Sequence, residues 1–195
     1  MDTNSRPSGI IRKLFAADLP DFRAHLRRLD PESRQSRFIG AVADECLDAY
    51  ADRCLASRGL VFGYVEDGIV RGAAELQPFE IGGERRAEAA FSVERAWRRR
   101  GIGSALFSRL LVSARNRDVK TLIVNCMGDN EAMRALARRF SAEIIFEHGE
   151  LIGTIKGLGP TPVSIAEEMI DDARSLAMSA LDYQRRLMAS QPAAN

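Results

Sequence analysis

At 195 residues, with 46% apolar and 28% charged content, the chain can bury one sizeable core and carry a short appendage. Its 28 basic and 27 acidic side chains leave a formal net charge of +1, which gives no support for bulk nucleic-acid binding. No apolar run approaches the ~18 residues needed to cross a membrane, so no membrane partner is expected.

Three cysteines, Cys46, Cys54 and Cys126, form no C-x-x-C pair. An odd count in a chain without a signal-like segment points to reduced thiols and a cytoplasmic location. His25 and His148 stand far apart, with no cysteine at ligand spacing, so no metal is expected.

Residues Met1 to Ser8 are polar, include Pro7 and are expected to be flexible. Ile10 to Phe15 reads as a first strand. Asp18 and Pro20 then open a helix carrying Phe22, Leu26 and Leu29, with Asp18 suited to the cap and the proline to the first turn. Asp30-Pro31-Glu32-Ser33 restarts the chain toward Arg37-Phe38-Ile39-Gly40. Val42, Cys46, Tyr50 and Leu55 predict a further helix ending before Gly59. Leu60 to Val65 and Ile69 to Leu76 are apolar-rich runs joined through Asp67-Gly68, which signals an antiparallel hairpin. Pro78 to Arg86, with Gly82-Gly83, reads as a loop.

Ala87, Ala89, Phe91 and Val93 alternate with Glu88, Ala90 and Ser92, the period of a half-buried strand. Ile102, Leu106, Leu110 and Ala114 recur every four residues and mark one face of a helix. Between them stand Arg98, Arg99 and Arg100. A helix start already carries roughly half a positive charge, so three arginines there run against local electrostatics. A polyanion on the turn would reverse that cost, because Gly101 and Gly103 let backbone amides approach phosphate oxygens. Taken alone, the glycines fit an ordinary arginine-rich loop equally well. A dinucleotide fingerprint fails, since Leu106 replaces the third small residue and Asn125 the acid of the next strand. The Walker pattern fails for want of a lysine followed by serine or threonine.

Asn116 to Lys120 makes the return to Thr121-Leu122-Ile123-Val124, a short buried strand parallel to the first. Asn130, Met133, Leu136 and Phe140 define another helix. Ala142 to Glu147, a His148-Gly149 turn and Leu151 to Ile155 complete a mixed α/β sheet. Gly157-Leu158-Gly159-Pro160 then breaks the chain, and Thr161-Pro162 opens a helix. In it Met169, Ala173, Leu176, Ala180, Tyr183 and Leu187 recur at spacings of four and three. That stripe needs a cover, either its own domain or a second subunit in a homodimer. Gln191 to Asn195 is expected to be disordered.

Arg98-Arg99-Arg100-Gly101-Ile102-Gly103 resembles the R/Q-x-x-G-x-G/A motif of the GNAT family of N-acetyltransferases, with the order of elements matching from about Ile10 to Ile155. Leu29 to Phe38 is similar to the corresponding segment of bacterial protein-lysine acetyltransferases. The resemblance implies a GNAT-like sheet of six to seven strands flanked by helices over residues 9–157. Residues 158–195 form a helical extension with its tail. It also implies acetyl-CoA as acyl donor, an amine acceptor, and a helix pair after the first strand lining the acceptor side. Backbone groups of Phe91 and Val93 would hold the pantetheine arm. Arg98, Arg99, Arg100, Gly101, Gly103 and Ser104 would take the pyrophosphate, and Asn130 would touch the cofactor or cap its helix.

Glu88 is the leading general base. It interrupts a small, apolar strand just upstream of the turn, where burial would raise its pKa, and an A-E-x-A-F-x-V strand carries a glutamate in the lysine-acetylating relatives. The alternative is a solvated glutamate paired with an arginine. Glu75 is a second candidate, with a sheet-surface charge as its plainer reading. Cys126 as an acyl carrier is a further alternative, but no histidine is placed in sequence to activate it. Ala137 stands where many members have a proton-donating tyrosine, and Ser141 replaces a usual glycine, so the general acid stays open. Two functions remain: an N-acetyltransferase acting on a protein lysine, an N-terminus or a small amine, or a non-catalytic acyl-CoA sensor or assembly module.

Overall fold

A computed structural model describes residues 8–56, 58–127, 129–147, 150–156 and 159–190. The expectations for residues 1–7, the His148-Gly149 turn, the Gly157-Leu158 break and the last five residues fall outside that set.

In chain order the elements are β1 (Ile10–Lys13), α1 (Leu19–Arg28), α2 (Pro31–Phe38), α3 (Asp44–Ala56), β2 (Leu60–Glu66) and β3 (Ile69–Ile81). They continue with β4 (Glu84–Val93), α4 (Ile102–Asn116), β5 (Thr121–Met127), α5 (Glu131–Arg139), β6 (Glu143–Glu147), β7 (Glu150–Lys156) and α6 (Pro162–Ser190). Seven strands form one sheet in the order β1-β2-β3-β4-β5-β7-β6. Every neighbouring pair is antiparallel except β4 and β5, which the α4 crossover makes parallel. The predicted mixed α/β sheet is therefore borne out.

The period-two pattern of the strands sends alternate residues to two separate cores. On one face Phe62, Leu76 and Ala89 pack against Leu106, Phe107 and Leu110 of α4. On the other, Val61 and Ala73 meet Phe22 and Leu26 of α1 and Leu47 of α3. Leu106, Phe107 and Leu110 are fully buried, and each contributes about 2 kcal/mol by leaving water. The α4 helix therefore has no freedom to rotate, and its first turn is fixed at the end of β4.

Three local expectations change. Pro78 to Arg86 is not a loop: β3 and β4 pair through Ile81↔Glu84 around Gly82-Gly83, both with positive φ. Pro78 is tolerated because β2 ends its pairing at Leu76, leaving one edge of β3 without a strand to bond. Asp18 precedes α1 but its side chain makes no cap bond there. Its carboxylate instead takes both guanidinium nitrogens of Arg12 at 2.9 Å.

The third change concerns α6. This helix docks on its own chain, yet through its polar face. Ser164, Ser175, Ser179 and Asp182 are buried. Arg12 bridges Asp18 and Asp182, Lys13 reaches Asp172 at 3.2 Å, and Arg109 reaches Asp172 at 2.7 Å. Glu168 accepts from Ser113, Asn116 and Arg117. Burial alone would raise the Asp18 carboxyl, but bonds from Arg12, the Phe15 amide and Ser179 outweigh it and hold it below the usual range. The predicted apolar stripe faces outward.

Candidate active site at the β4–β5 fork

Parallel β4 and β5 pair only over Arg86–Ala89 and Thr121–Val124. Beyond that point β4 runs to Val93 and β5 to Met127 without further pairing among the described residues. The strands thus diverge at their carboxyl ends, the place where open α/β sheets leave room for a ligand. The β5-facing backbone of Ala90 to Val93 is an unpaired strand edge, available to an extended chain carrying amides. Phe91 is held from behind by a ring stack, 4.9 Å to Phe107, which lies 4.3 Å from Phe140.

The basic turn follows directly. Arg99 adopts φ +62 and Gly101 φ +80, left-handed conformations of the kind from which anion-binding nests are built. A Cβ at Gly101 or Gly103 would meet nothing within 4 Å, so both lie open to a ligand. The N-cap Gly101 supplies no side-chain acceptor, and the first helical bond runs from Ala105 to Gly101. The amides of Ile102, Gly103 and Ser104 therefore lack an intrahelical acceptor, and the helix dipole adds to their pull on an anion. Arg98, Arg99 and Arg100 are exposed, and no carboxylate among the described residues pairs with them. Arg98 folds back, Nε donating to Val93 O at 3.2 Å and Nη2 to the Ser33 hydroxyl. Arg100 leans over Trp97, 5.8 Å from the ring centroid. These residues fit a diphosphate-bearing ligand.

Glu88 sits one residue before the last β4–β5 pair, at the fork itself. It is exposed, contrary to the expected burial, because the strands part beside it and open its face to solvent. Asn125 Nδ2 approaches its Oε1 at 3.4 Å, and no arginine pairs with it among the described residues. Glu75, two residues nearer the centre of the same sheet face, is fully buried. Its Oε2 accepts from Arg37 at 2.9 Å and from the Tyr50 hydroxyl, with Cys54 Sγ at 3.4 Å. Burial, followed by the Glu75 charge, pushes the Cys54 thiol up to about 12 and the Tyr50 phenol upward as well. The surface-charge reading of Glu75 is thus replaced by a buried cross-link of α2 and α3 to β3, closed to an acceptor.

Asn130 caps α5, Oδ1 accepting from the Met133 amide at 3.0 Å, while Nδ2 donates to Ser36 at 2.8 Å. Contact with a cofactor would require exchanging Ser36 for that ligand. Through Ser33 and Ser36, α2 ties the basic turn to the start of α5 across the fork. Ala137 is buried, and its methyl group carries no proton to donate. Ser141 holds φ +56, a left-handed conformation that glycine adopts at lower cost. Cys126 is buried on β5.

Sequence reasoning missed one array. His25 is fully buried, its Nε2 2.8 Å from Ser92 Oγ and its Nδ1 3.3 Å from Glu94 Oε1. Burial lowers its pKa and keeps the ring neutral, with Nδ1–H donating to Glu94 and Nε2 accepting from Ser92. Glu94 also binds Arg28 at 2.8 Å and Arg71 at 3.1 Å. The array resembles a serine–histidine–acid relay in composition, but all three members are buried and the acid is shared with two arginines. It acts as a clamp on the end of β4. The available signal was spacing, since His25 falls on the apolar stripe three residues after Phe22.

The family model described as acetyltransferase (GNAT) family matches residues 23–142. The chain belongs to the GNAT family. Family membership makes it an acetyl-CoA-dependent N-acetyltransferase and weighs against the sensor reading. Among solved structures, the GNAT domain of S. lividans PAT superposes with a TM-score of 0.67 at 18% identity, over 76% of this chain and 90% of that one. Ribosomal-protein-alanine N-acetyltransferase from Brucella melitensis gives 0.61 at 24% identity, over 76% and 99%. The putative acetyltransferase yncA from Salmonella typhimurium, determined with its cofactor acetyl-CoA, gives 0.60 at 18% identity, over 80% and 99%. At these identities the likenesses establish the GNAT fold. No helix among the described residues is long and apolar enough to cross a membrane.

Proposed function

We propose that this GNAT enzyme transfers an acetyl group to a primary amine, on a protein lysine, an N-terminus or a small molecule, with Glu88 as general base. The observation that carries this reading is the coincidence, at one fork, of an exposed carboxylate, an unpaired strand edge and a cationic turn without carboxylate partners. Acetyl-CoA supplies an activated acyl carbonyl. The edge of β4 around Phe91 and Val93 holds the pantetheine arm. Gly101, Gly103 and Ser104 offer amides to the pyrophosphate, and Arg98, Arg99 and Arg100 offer guanidinium groups. Asn130 stands at the far side of the fork.

An amine near neutral pH is mostly an ammonium ion and cannot attack until it loses a proton. The Glu88 carboxylate attracts that ammonium and accepts its proton, with Asn125 steadying Oε1. Being exposed, Glu88 can pass the proton on to solvent. Ala137 takes no part in proton transfer, so the departing thiolate depends on its own modest basicity.

Glu88→Gln should lower kcat by about 10²–10⁴-fold while leaving the KM for acetyl-CoA within about twofold. Retention of full kcat across a panel of amines would contradict the assignment of the base.

A further inference from the structure

The outward face of α6 is the largest feature of the molecule that the catalytic reading leaves unused. We propose that α6 pairs with the α6 of a second copy, antiparallel and about a two-fold axis, to make a homodimer. The inference is independent of the acetyl-transfer reading. The helix spans 29 residues, so its length is about 43 Å. Its inward face is committed to ion pairs with β1, α1 and α4, which hold the helix rigidly on the domain. The opposite face is apolar yet open to water, with Met169 68%, Ile170 64%, Leu176 60% and Met188 74% exposed.

That face has the repeat of a helix-pairing seam. Ile170, Ala173, Ala177, Ala180, Gln184 and Leu187 recur at spacings of three and four, and none is charged. The expected stripe shares Ala173, Ala180 and Leu187 with this seam, and its Met169, Leu176 and Tyr183 flank it. Nine of the fourteen exposed large apolar side chains among the described residues lie on α6, a concentration of the kind that marks an interaction surface.

The order of side chain sizes selects the second copy and its direction. Bulky residues stand at the ends of the seam and alanines in the middle. An antiparallel pair aligns Ile170 with Leu187 of the second copy, Ala173 with its Gln184, and Ala177 with its Ala180. The alanines permit close approach at the axis while the bulky residues cover each other at both ends. On the flanks, Leu176 meets the second copy's Tyr183, and Arg174 meets its Leu181, so like charges do not oppose. Opposed helix dipoles favour the same arrangement.

Sedimentation equilibrium on the full chain from about 1 to 100 µM should show a dimer. Ile170→Glu with Leu187→Glu should convert it to a monomer that keeps the far-ultraviolet spectrum and the kcat of wild type. In a Cys46→Ser background, Ile170→Cys and Leu187→Cys chains should form a disulfide with each other when mixed, and neither with itself. A wild-type monomer at 100 µM, or a dimer that survives the double glutamate variant, overturns the proposal. Self-linking of both cysteine variants overturns the antiparallel arrangement.

Discussion

Two basic regions of this enzyme treat charge in opposite ways. Along the inward seam where α6 docks on the domain, opposite its outward heptad, Arg12, Arg109, Arg117 and Arg186 each meet at least one carboxylate, and Arg12 is buried between Asp18 and Asp182. At the fork, three consecutive arginines stand in solvent with none. Matched charges fix one element on another, because removing either partner strands a buried ion. Charges without carboxylate partners beside uncapped amides, with only Arg98 bonded back to Val93 and Ser33, leave their field directed outward, as the proposed diphosphate site requires. The contrast separates an anchoring site from the proposed binding site within one chain.

The sharpest way to break the comparison is to remove a partner at the seam. Asp18→Ala leaves the Arg12 guanidinium with only Asp182 and should cost about 3–5 kcal/mol in urea unfolding, with the KM for acetyl-CoA unchanged in the folded fraction. A loss under 1 kcal/mol would show that the seam does not anchor the helix. A smaller effect comes from pH. The native pKa of His25 lies below its unfolded value, so the unfolded chain binds the extra proton. Its contribution is present above about pH 6.5 and is lost as pH falls from there through the depressed native value. A second loss begins below about pH 4, where Asp18, Glu94 and Glu168 are all held below their usual values. Urea midpoints from pH 8 to 5 should decline in wild type and flatten in His25→Gln; identical slopes would exclude the clamp as their source. The smallest change expected is at Ser141, where φ +56 strains a side chain. Ser141→Gly should stabilise by about 0.5–1 kcal/mol, and a destabilised variant would show that the serine hydroxyl matters more than the strain.

Local pattern exposed much of this architecture. Alternation located β4, the four-residue repeat located α4, and Asp67-Gly68 located the hairpin, with both residues at positive φ. The basic turn was readable because its residues are contiguous. Contacts between distant segments were not. Glu75 and Glu88 both interrupt apolar strands and both have a paired strand on each side, and only the fold shows that α2 and α3 cover the first while the second stands open where β4 and β5 part. Asn125 reaches the site from β5, and Ser33 and Ser36 reach it from α2. The heptad in α6 showed that a stripe existed, but its direction was set by ion pairs from β1 and α4, some 60 to 170 residues away in sequence.

The claim that the unmatched arginines serve a diphosphate is tested most directly by titrating coenzyme A into the enzyme by calorimetry, beside the triple variant Arg98→Ala, Arg99→Ala, Arg100→Ala. Wild type should give saturable heat and the variant at least about tenfold weaker binding, with the fold retained despite loss of the Arg98 bonds to Val93 and Ser33. Equal affinity in both proteins, or no heat with wild type, would contradict it.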